Sequence, residues 1–225
     1  MIKYAVFEEK EAWDEFRGDY LTASEIYRIL PEPKKKGEIL SVGAKTYIKE
    51  RLVRRLAPKE PEYYNQQMEH GNDTEPAAVL RIAKELGKSV EDDDFIYTSV
   101  NGYVFFYDEK LGIGGTPDVI IKNQMSCEVK CPLSKTHLDY LLLKTQEEVR
   151  TELPKYYGQM QLNMHLTKTD KCLFVSFDDR FYNEKHHYHQ IEILKDDEYI
   201  ENLLKKAKAA KAYKEQILKE LNANT

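Results

Sequence analysis

Apolar residues recur at helical spacing through the first part of the chain, where Ile48, Leu52 and Leu56 mark one stripe, and strand-like runs dominate from Phe95 onward. The pattern predicts a helix over Glu8 to Phe16 and a short second one, capped by Thr22 or Ser24, that ends before Pro31-Glu32-Pro33. A further helix spans Gly43 to Ala57. A helical stretch follows Pro61 as far as Gly71, and another follows Glu75-Pro76 and stops at Gly87, with Pro76 suited to its first turn. Strands at Phe95–Ser99 and Tyr103–Tyr107 flank Asn101-Gly102, a hairpin signal. Helices at Lys135–Leu143 and Pro154–Leu166, strands at Lys171–Phe177 and His186–Leu194, and a long helix from Asp196 to Leu221 complete the order. This order predicts an α/β (α+β) fold in which a central mixed β-sheet is flanked by helices. Trp13, Tyr157, Met160 and Met164 are assigned to the core, as are Leu203, Leu204, Ala207, Ile217 and Leu221.

Between those strands lies GGTPDVIIKNQMSCEVKCP, residues 114–132. Asp118 opens one apolar run, Glu128-Val129-Lys130 sits in the next, and Lys122-Asn123-Gln124 is polar enough to turn a hairpin between them. Alternation puts Glu128 and Lys130 on one strand face and Val129 on the other, so two carboxylates and a lysine meet at the hairpin's end. Phosphodiester hydrolysis calls for such residues. Hard oxygen ligands hold Mg²⁺ while leaving waters on it, and the ion acidifies a water and polarises the phosphoryl group. A neighbouring ammonium orients that water and offsets developing charge. The competing reading of the same string is a surface hairpin with an ordinary Glu/Lys pair.

Composition narrows the class. With 225 residues, 41% of them hydrophobic, and no glycine- or serine-rich linker or internal repeat, the chain is expected to form one domain with a sizeable core over residues 1–225. The start, MIKYAVFEEKEAW, lacks the apolar stretch of a signal peptide, and no run approaches a membrane span. Cys127, Cys131 and Cys172 form no paired spacing, which fits a reducing cytoplasm better than a disulfide framework. The net charge of −5 is unevenly spread: Lys34 to Lys59 carries nine basic residues against Glu38 and Glu50, a local +7 that leaves −12 for the rest. Lys45, Lys49, Arg51, Arg54 and Arg55 lie mostly off the apolar stripe of their helix, which makes that face either a phosphate track or a solvated basic surface.

Further candidates stand beside simpler explanations. In KYYGQMQLNMHLT, Tyr156, Gln159 and Asn163 share a helix face, and the Gln159 amide either meets a phosphate or metal-bound water or is exposed or structurally paired. Gln161 is open to the same two readings. Glu75 is placed either as a functional carboxylate or as a favourable charge at a helix start. His186, His187 and His189 lack a companion at zinc-like spacing and read as an ordinary strand face.

Taken in order, these pieces resemble the lambda-exonuclease and YqaJ-type viral recombinase family of PD-(D/E)xK nucleases. WDEFRGDYLTASEIYRIL is similar to its Trp-…-Arg-…-Ile-Thr-Ala-Ser segment, GNDTEPAA to its Gly-x-x-x-Glu motif, TPDVI and CEVKCP to its Ser-Pro-Asp-Gly and Glu-Leu-Lys-Cys-Pro strands, and YYGQMQ to its Tyr-x-x-Gln-x-Gln helix. The resemblance implies a restriction-endonuclease-like core that degrades one strand of linear duplex DNA from 5′ ends, leaving 3′ single strands for an annealing protein. It assigns Asp118, Glu128 and the Val129 carbonyl to a first Mg²⁺, with Mn²⁺ as substitute, and Glu75 to a second ion or its waters. Lys130 activates water, Gln159 contacts the reacting phosphate, and Arg17, Ser24 and Thr116 hold a terminal 5′-phosphate. Met68 falls where an apolar side chain wedges between strands at the duplex fork.

The same resemblance implies a ring-shaped homotrimer, double-stranded DNA ends as partner, no membrane, and the cytoplasm of a bacterial host for a phage-encoded chain. Two alternatives remain at this stage. One is another PD-(D/E)xK nuclease, either an endonuclease or a RecB-like exonuclease; the cluster-bearing version of the latter needs four thiolates where this chain has three. The other is a non-catalytic DNA-end-binding protein.

Overall fold

The computed structural model describes residues 1–57, 66–99 and 102–223, with the side chains of residues 66–68 left aside. In chain order the elements are strand β1 (Lys3–Phe7), helix α1 (Lys10–Arg17), strand β2 (Leu21–Thr22), a 3-10 segment (Ala23–Ile29), and helices α2 (Val42–Leu56) and α3 (Gln66–Glu85). Strands β3 (Phe95–Tyr97), β4 (Tyr103–Asp108), β5 (Ile113–Gly115), β6 (Val119–Ile121) and β7 (Met125–Lys130) come next. Helices α4 (Ser134–Leu142), α5 (Gln146–Glu152) and α6 (Pro154–Thr167), strands β8 (Lys171–Phe177) and β9 (Tyr188–Leu194), and helix α7 (Asp197–Ala223) finish the chain.

The expected mixed sheet is present as five strands in the order β3-β6-β7-β8-β9, with only β7 and β8 parallel. A second, four-stranded sheet, β1-β4-β5-β2, stands beside it. The strands flanking Asn101-Gly102 therefore do not form a hairpin: β3 pairs with β6, whereas β4 pairs with β1 and β5. Residues 100 and 101 lie outside the described residues. Gly102 turns the chain with φ +103°, and a Cβ there would sit 2.9 Å from the Phe7 carbonyl oxygen, so the glycine answers to β1 rather than to a hairpin turn.

Helix α3 is a second departure. Gly71 and Pro76 do not divide the segment; one helix runs through both, with Pro76 in its interior. An internal proline forfeits a ladder bond at a cost of about 3 kcal/mol. Burial of Ala78, Val79, Ile82 and Ala83 against Cys127, Val129, Leu173 and Val175 of the sheet offsets it. Pro61, the expected start, lies outside the described residues. The opposite face of the same sheet is covered by α6, whose Tyr157, Met160 and Met164 pack on Cys172, Phe174, Ile191 and Ile193. Leu203 and Ala207 of α7 are fully buried as expected, but Leu221 near its end is 49% exposed. Among the described residues no helix is long and apolar enough to cross a membrane.

Candidate functional site

The β6–β7 hairpin forms as its sequence requires. Its turn is closed by Asn123 at φ 59° and by the Gln124 N–H donating to the Ile121 carbonyl, 3.0 Å. The register pairs Val119 with Cys127, and Asp118 N–H donates to the Cys127 carbonyl at 3.2 Å, which sets Asp118 across from Glu128. The odd positions Cys127 and Val129 enter the core under α3; Glu128 and Lys130 take the other face, as alternation demands.

Four charged groups converge at this end of the sheet. Asp118 Oδ2 accepts the Val129 N–H at 2.7 Å, and Lys130 Nζ lies 2.5 Å from Glu128 Oε1 and 4.0 Å from Asp118 Oδ2. Glu128 is fully buried, while Asp118 and Lys130 keep 22% and 23% of their side chains exposed. The cluster is thus closed behind and open in front. Glu75 arrives from α3 and accepts the Tyr97 hydroxyl at 3.0 Å. It sits deep within that helix, which removes the helix-start explanation for its charge.

The charges are out of balance. Burial pushes Glu75 up to about 7, with Asp118 adding to the effect and Tyr97 and Lys130 opposing it. Burial likewise raises Asp118 against the pull of Lys130 and the Val129 N–H, and raises Glu128 against Lys130. Burial works against the Lys130 ammonium, but the Glu128 and Asp118 carboxylates outweigh it and hold the group charged. Apart from that close ion pair, neither Glu128 oxygen has a well-directed hydrogen-bond donor among the described residues. Three carboxylates sharing one ammonium, with Glu128 buried and no donor to it but that ammonium among the described residues, suit an added cation.

No group of three His, Cys, Asp or Glu side chains among the described residues converges as a ready metal cage. A donor set of two carboxylates and a main-chain carbonyl, completed by water and phosphate oxygens, suits Mg²⁺, which is seldom held by protein atoms alone. The thiols of Cys127 and Cys131 are free and buried, and burial pushes both up to about 12, so they remain protonated at neutral pH.

The flanking candidates divide. Gln159 is 8% exposed and lies one turn from Tyr156, whose ring centroid is 5.1 Å from Lys130 Nζ, so its helix face adjoins the cluster. Gln161, by contrast, is structural: its amide spans the Leu194 carbonyl and the Asp196 N–H, both at 2.9 Å. The parallel pairing of Leu21 with Ile113 and Thr22 with Gly114 ends just before Ser24 and Thr116 and leaves Ala23 close to Gly115. Gly115 allows this closeness, since a Cβ there would meet Ala23 Cβ at 2.8 Å and Asn163 Oδ1 at 2.3 Å. Asn163 is 1% exposed and its amide has no hydrogen-bond partner among the described residues.

The Thr116 hydroxyl donates to the Val104 carbonyl at 2.7 Å, and the Ser24 hydroxyl lies 3.3 Å from that of Thr22. Thr22 caps nothing; the segment after it is 3-10 and lacks a side-chain cap. Arg17 ends α1 with its guanidinium 4.0 Å over the Trp13 ring. Val129 lies between Glu128 and Lys130 on β7. Met68 falls in α3 among the residues whose side chains are not described.

Most of the basic face of α2 is turned to the protein's own groups. Arg51 Nη2 donates to the carbonyls of Arg17, Gly18 and Tyr20 at 3.3, 3.0 and 3.0 Å. Lys45 pairs with Glu38 at 2.7 Å, Arg54 with Glu25 at 3.9 Å and Arg55 with Asp19 at 2.6 Å. The histidines are structural too: His187 and His189 bond the carbonyls of Phe181 and Leu143.

Sequence reasoning missed Tyr97 and gave Tyr156 no part beyond the helix face it shares with Gln159; both rings touch the cluster. Their only signal was proximity to Asp118 in the sheet and to Gln159 on the helix.

An α+β core of two mixed sheets with carboxylates at a hairpin's end defines a class, and comparison gives it a family. Residues 12–170 match the YqaJ-like viral recombinase domain, and the chain belongs to that family. Among solved structures it is similar to the alkaline exonuclease LHK-Exo from Laribacter hongkongensis, at 26% identity and TM-score 0.72, over 96% of this chain and 97% of that one. The same enzyme in complex with dAMP matches equally. A phage-related exonuclease from Haemophilus somnus 129PT shares the fold at 18% identity and TM-score 0.69, over 90% and 96% of the two chains. No curated protein matches the chain.

Proposed function

We propose that this protein is a Mg²⁺-dependent 5′→3′ exonuclease that degrades one strand of linear double-stranded DNA and leaves 3′ single strands for recombination by annealing. The observation that carries this reading is the unbalanced cluster of Asp118, Glu128, Glu75 and Lys130, open on one side, in a chain of the YqaJ-like family.

Asp118, Glu128 and the Val129 carbonyl would hold the ion, with Glu75 serving a second ion or its waters. A divalent cation there supplies charge neutralisation for the phosphate and a more acidic water. Lys130, kept as an ammonium by its two carboxylates, donates rather than accepts a proton: it orients the attacking water and meets the charge that builds on the phosphate. Tyr156 stacks against Phe174 and lies under that ammonium, which holds the lysine over the cluster. Gln159 would donate to the reacting phosphate from the adjoining helix face.

Arg17, Ser24 and Thr116 would receive the terminal 5′-phosphate. Thr116 must turn its hydroxyl from the Val104 carbonyl to do so. Met68 would wedge at the fork. A homotrimeric ring and an annealing partner belong to the same reading, as does the bacterial cytoplasm as its place of work. The alkaline exonuclease LHK-Exo, 26% identical over nearly the whole chain, supports it.

The test is digestion of three substrates in Mg²⁺. A 5′-phosphorylated linear duplex should disappear faster than its 5′-hydroxyl counterpart, and closed circles should persist. Rapid cutting of closed circles would favour an endonuclease, and binding without cleavage in either Mg²⁺ or Mn²⁺ would favour a DNA-end-binding protein.

A further inference from the structure

Strand β3 ends in Tyr97, followed by Thr98, and neither has a part in the chemistry above. Tyr97 Oη donates to Glu75 Oε1 at 3.0 Å, and Ser99 hydrogen-bonds the same phenol in turn. Among the described residues no other hydrogen bond reaches the Glu75 side chain. The next residue grips the other carboxylate's backbone. Thr98 N–H donates to the Asp118 carbonyl at 3.2 Å, and the Thr98 hydroxyl donates to the Pro117 carbonyl at 2.6 Å. The pairing of Tyr97 with Val119 fixes both links in register.

One dipeptide therefore joins helix α3, which carries Glu75, to the backbone of Asp118 just before β6. These two carboxylates come from opposite sides of the sheet edge, and their mutual repulsion would drive them apart without such a tie. The phenol engages one oxygen of Glu75 and leaves the second free. Packing alone does not call for the hydroxyl, because the ring's contacts with the apolar cluster under α3 would serve a phenylalanine equally well.

We propose that Tyr97 is a positioning residue whose hydroxyl holds the Glu75 carboxylate beside Asp118, so that Glu75 presents an oxygen to a second divalent cation or to the waters of the first. This rests on the metal-dependent reading of the site, and its test is metal binding rather than DNA cleavage. Mn²⁺ binding is measured by calorimetry on the wild type, Tyr97→Phe, Glu75→Gln and the double variant. Tyr97→Phe should weaken Mn²⁺ binding by about ten-fold or more, should raise the metal concentration needed for half-maximal cleavage, and should leave kcat at saturating metal close to wild type. In the Glu75→Gln background the same change should have no further effect on Mn²⁺ affinity, because the phenol then has no carboxylate to hold.

Wild-type Mn²⁺ affinity in Tyr97→Phe would overturn the proposal. So would an equal loss of affinity in the presence and absence of Glu75, which would reveal a general loosening of the fold. A wild type that binds no Mn²⁺ overturns it as well. A wild type that binds Mn²⁺ but cuts no DNA removes the nuclease reading alone, and the comparison of Tyr97→Phe with Glu75→Gln still decides the role of the phenol.

Discussion

Helix α2 and the β6–β7 hairpin are both dense in charge, yet the protein treats them oppositely. On α2, Lys45, Arg51, Arg54 and Arg55 each find a carboxylate or carbonyl of the protein itself; of the five basic side chains read from that helix, only Lys49 has no ion pair among the described residues. At the hairpin, three carboxylates share Lys130, and among the described residues the buried Glu128 carboxylate has no donor besides that ammonium. A satisfied network stabilises or is neutral, whereas an unsatisfied buried one costs free energy unless a ligand completes it. Charge density along the sequence is thus a poor guide to function here, and charge imbalance in the fold is a better one.

The comparison can be sharpened by substitutions on each side. The largest effect belongs to the hairpin: Asp118→Ala or Glu128→Ala should lower the rate of DNA digestion by roughly 10²- to 10³-fold or more, with circular dichroism confirming a folded chain. Arg51→Ala should leave that rate nearly unchanged but destabilise the protein by about 1–3 kcal/mol, because three carbonyls at the end of α1 lose a charged donor. Urea denaturation measures it, and a catalytic loss without a stability loss would invert the contrast drawn above.

Acidity separates the regions more gently. Glu75, with a folded-state value of about 7, lies above the ordinary carboxylate range, so the metal-free fold binds its proton more tightly than the unfolded chain does. That contribution to stability is fully present below about pH 4.5 and is lost as pH rises through 7. Melting temperatures without metal should therefore favour Glu75→Gln over wild type increasingly from pH 5 to pH 8, and Mg²⁺ should erase the difference. The smallest effect is expected at Arg55, half exposed beside Asp19. Arg55→Ala should change stability by about 0.5 kcal/mol and cleavage not at all; a clear rise in DNA dissociation would instead restore α2 as a phosphate track.

The elements that could be read from sequence were those whose local signals agree with their tertiary setting. The hairpin around Asn123 combined apolar runs, a polar turn and alternation, and β8 formed over the expected Lys171–Phe177. Segments with weaker or conflicting signals were misread. Gly71 and Pro76 are breakers that burial of α3 overrides. Asn101-Gly102 signals a tight turn, but nothing local tells that its flanking strands join different sheets. Strand β1 is only five residues, abuts a helix and lies on an edge, and the expected order has no strand at KYAVF.

Helix α5 was legible and overlooked, for Thr145 and Glu148 form a capping box spaced as the sequence displays it. Within the site, Asp118, Glu128 and Lys130 are close in sequence and their meeting follows from strand geometry. The arrival of Glu75, and of Tyr97 and Tyr156 around it, depends on helix packing across the sheet. No short-range pattern encodes that.

The central claim is that the Asp118–Glu128–Lys130 cluster hydrolyses DNA with a divalent cation. Its most direct test is release of acid-soluble nucleotide from a 5′-labelled linear duplex by the wild type and Lys130→Ala, each in Mg²⁺ and in chelator. Release by the wild type in Mg²⁺ alone, with none from Lys130→Ala, is the predicted result. Release that survives chelation, or that Lys130→Ala sustains at the wild-type rate, would contradict it.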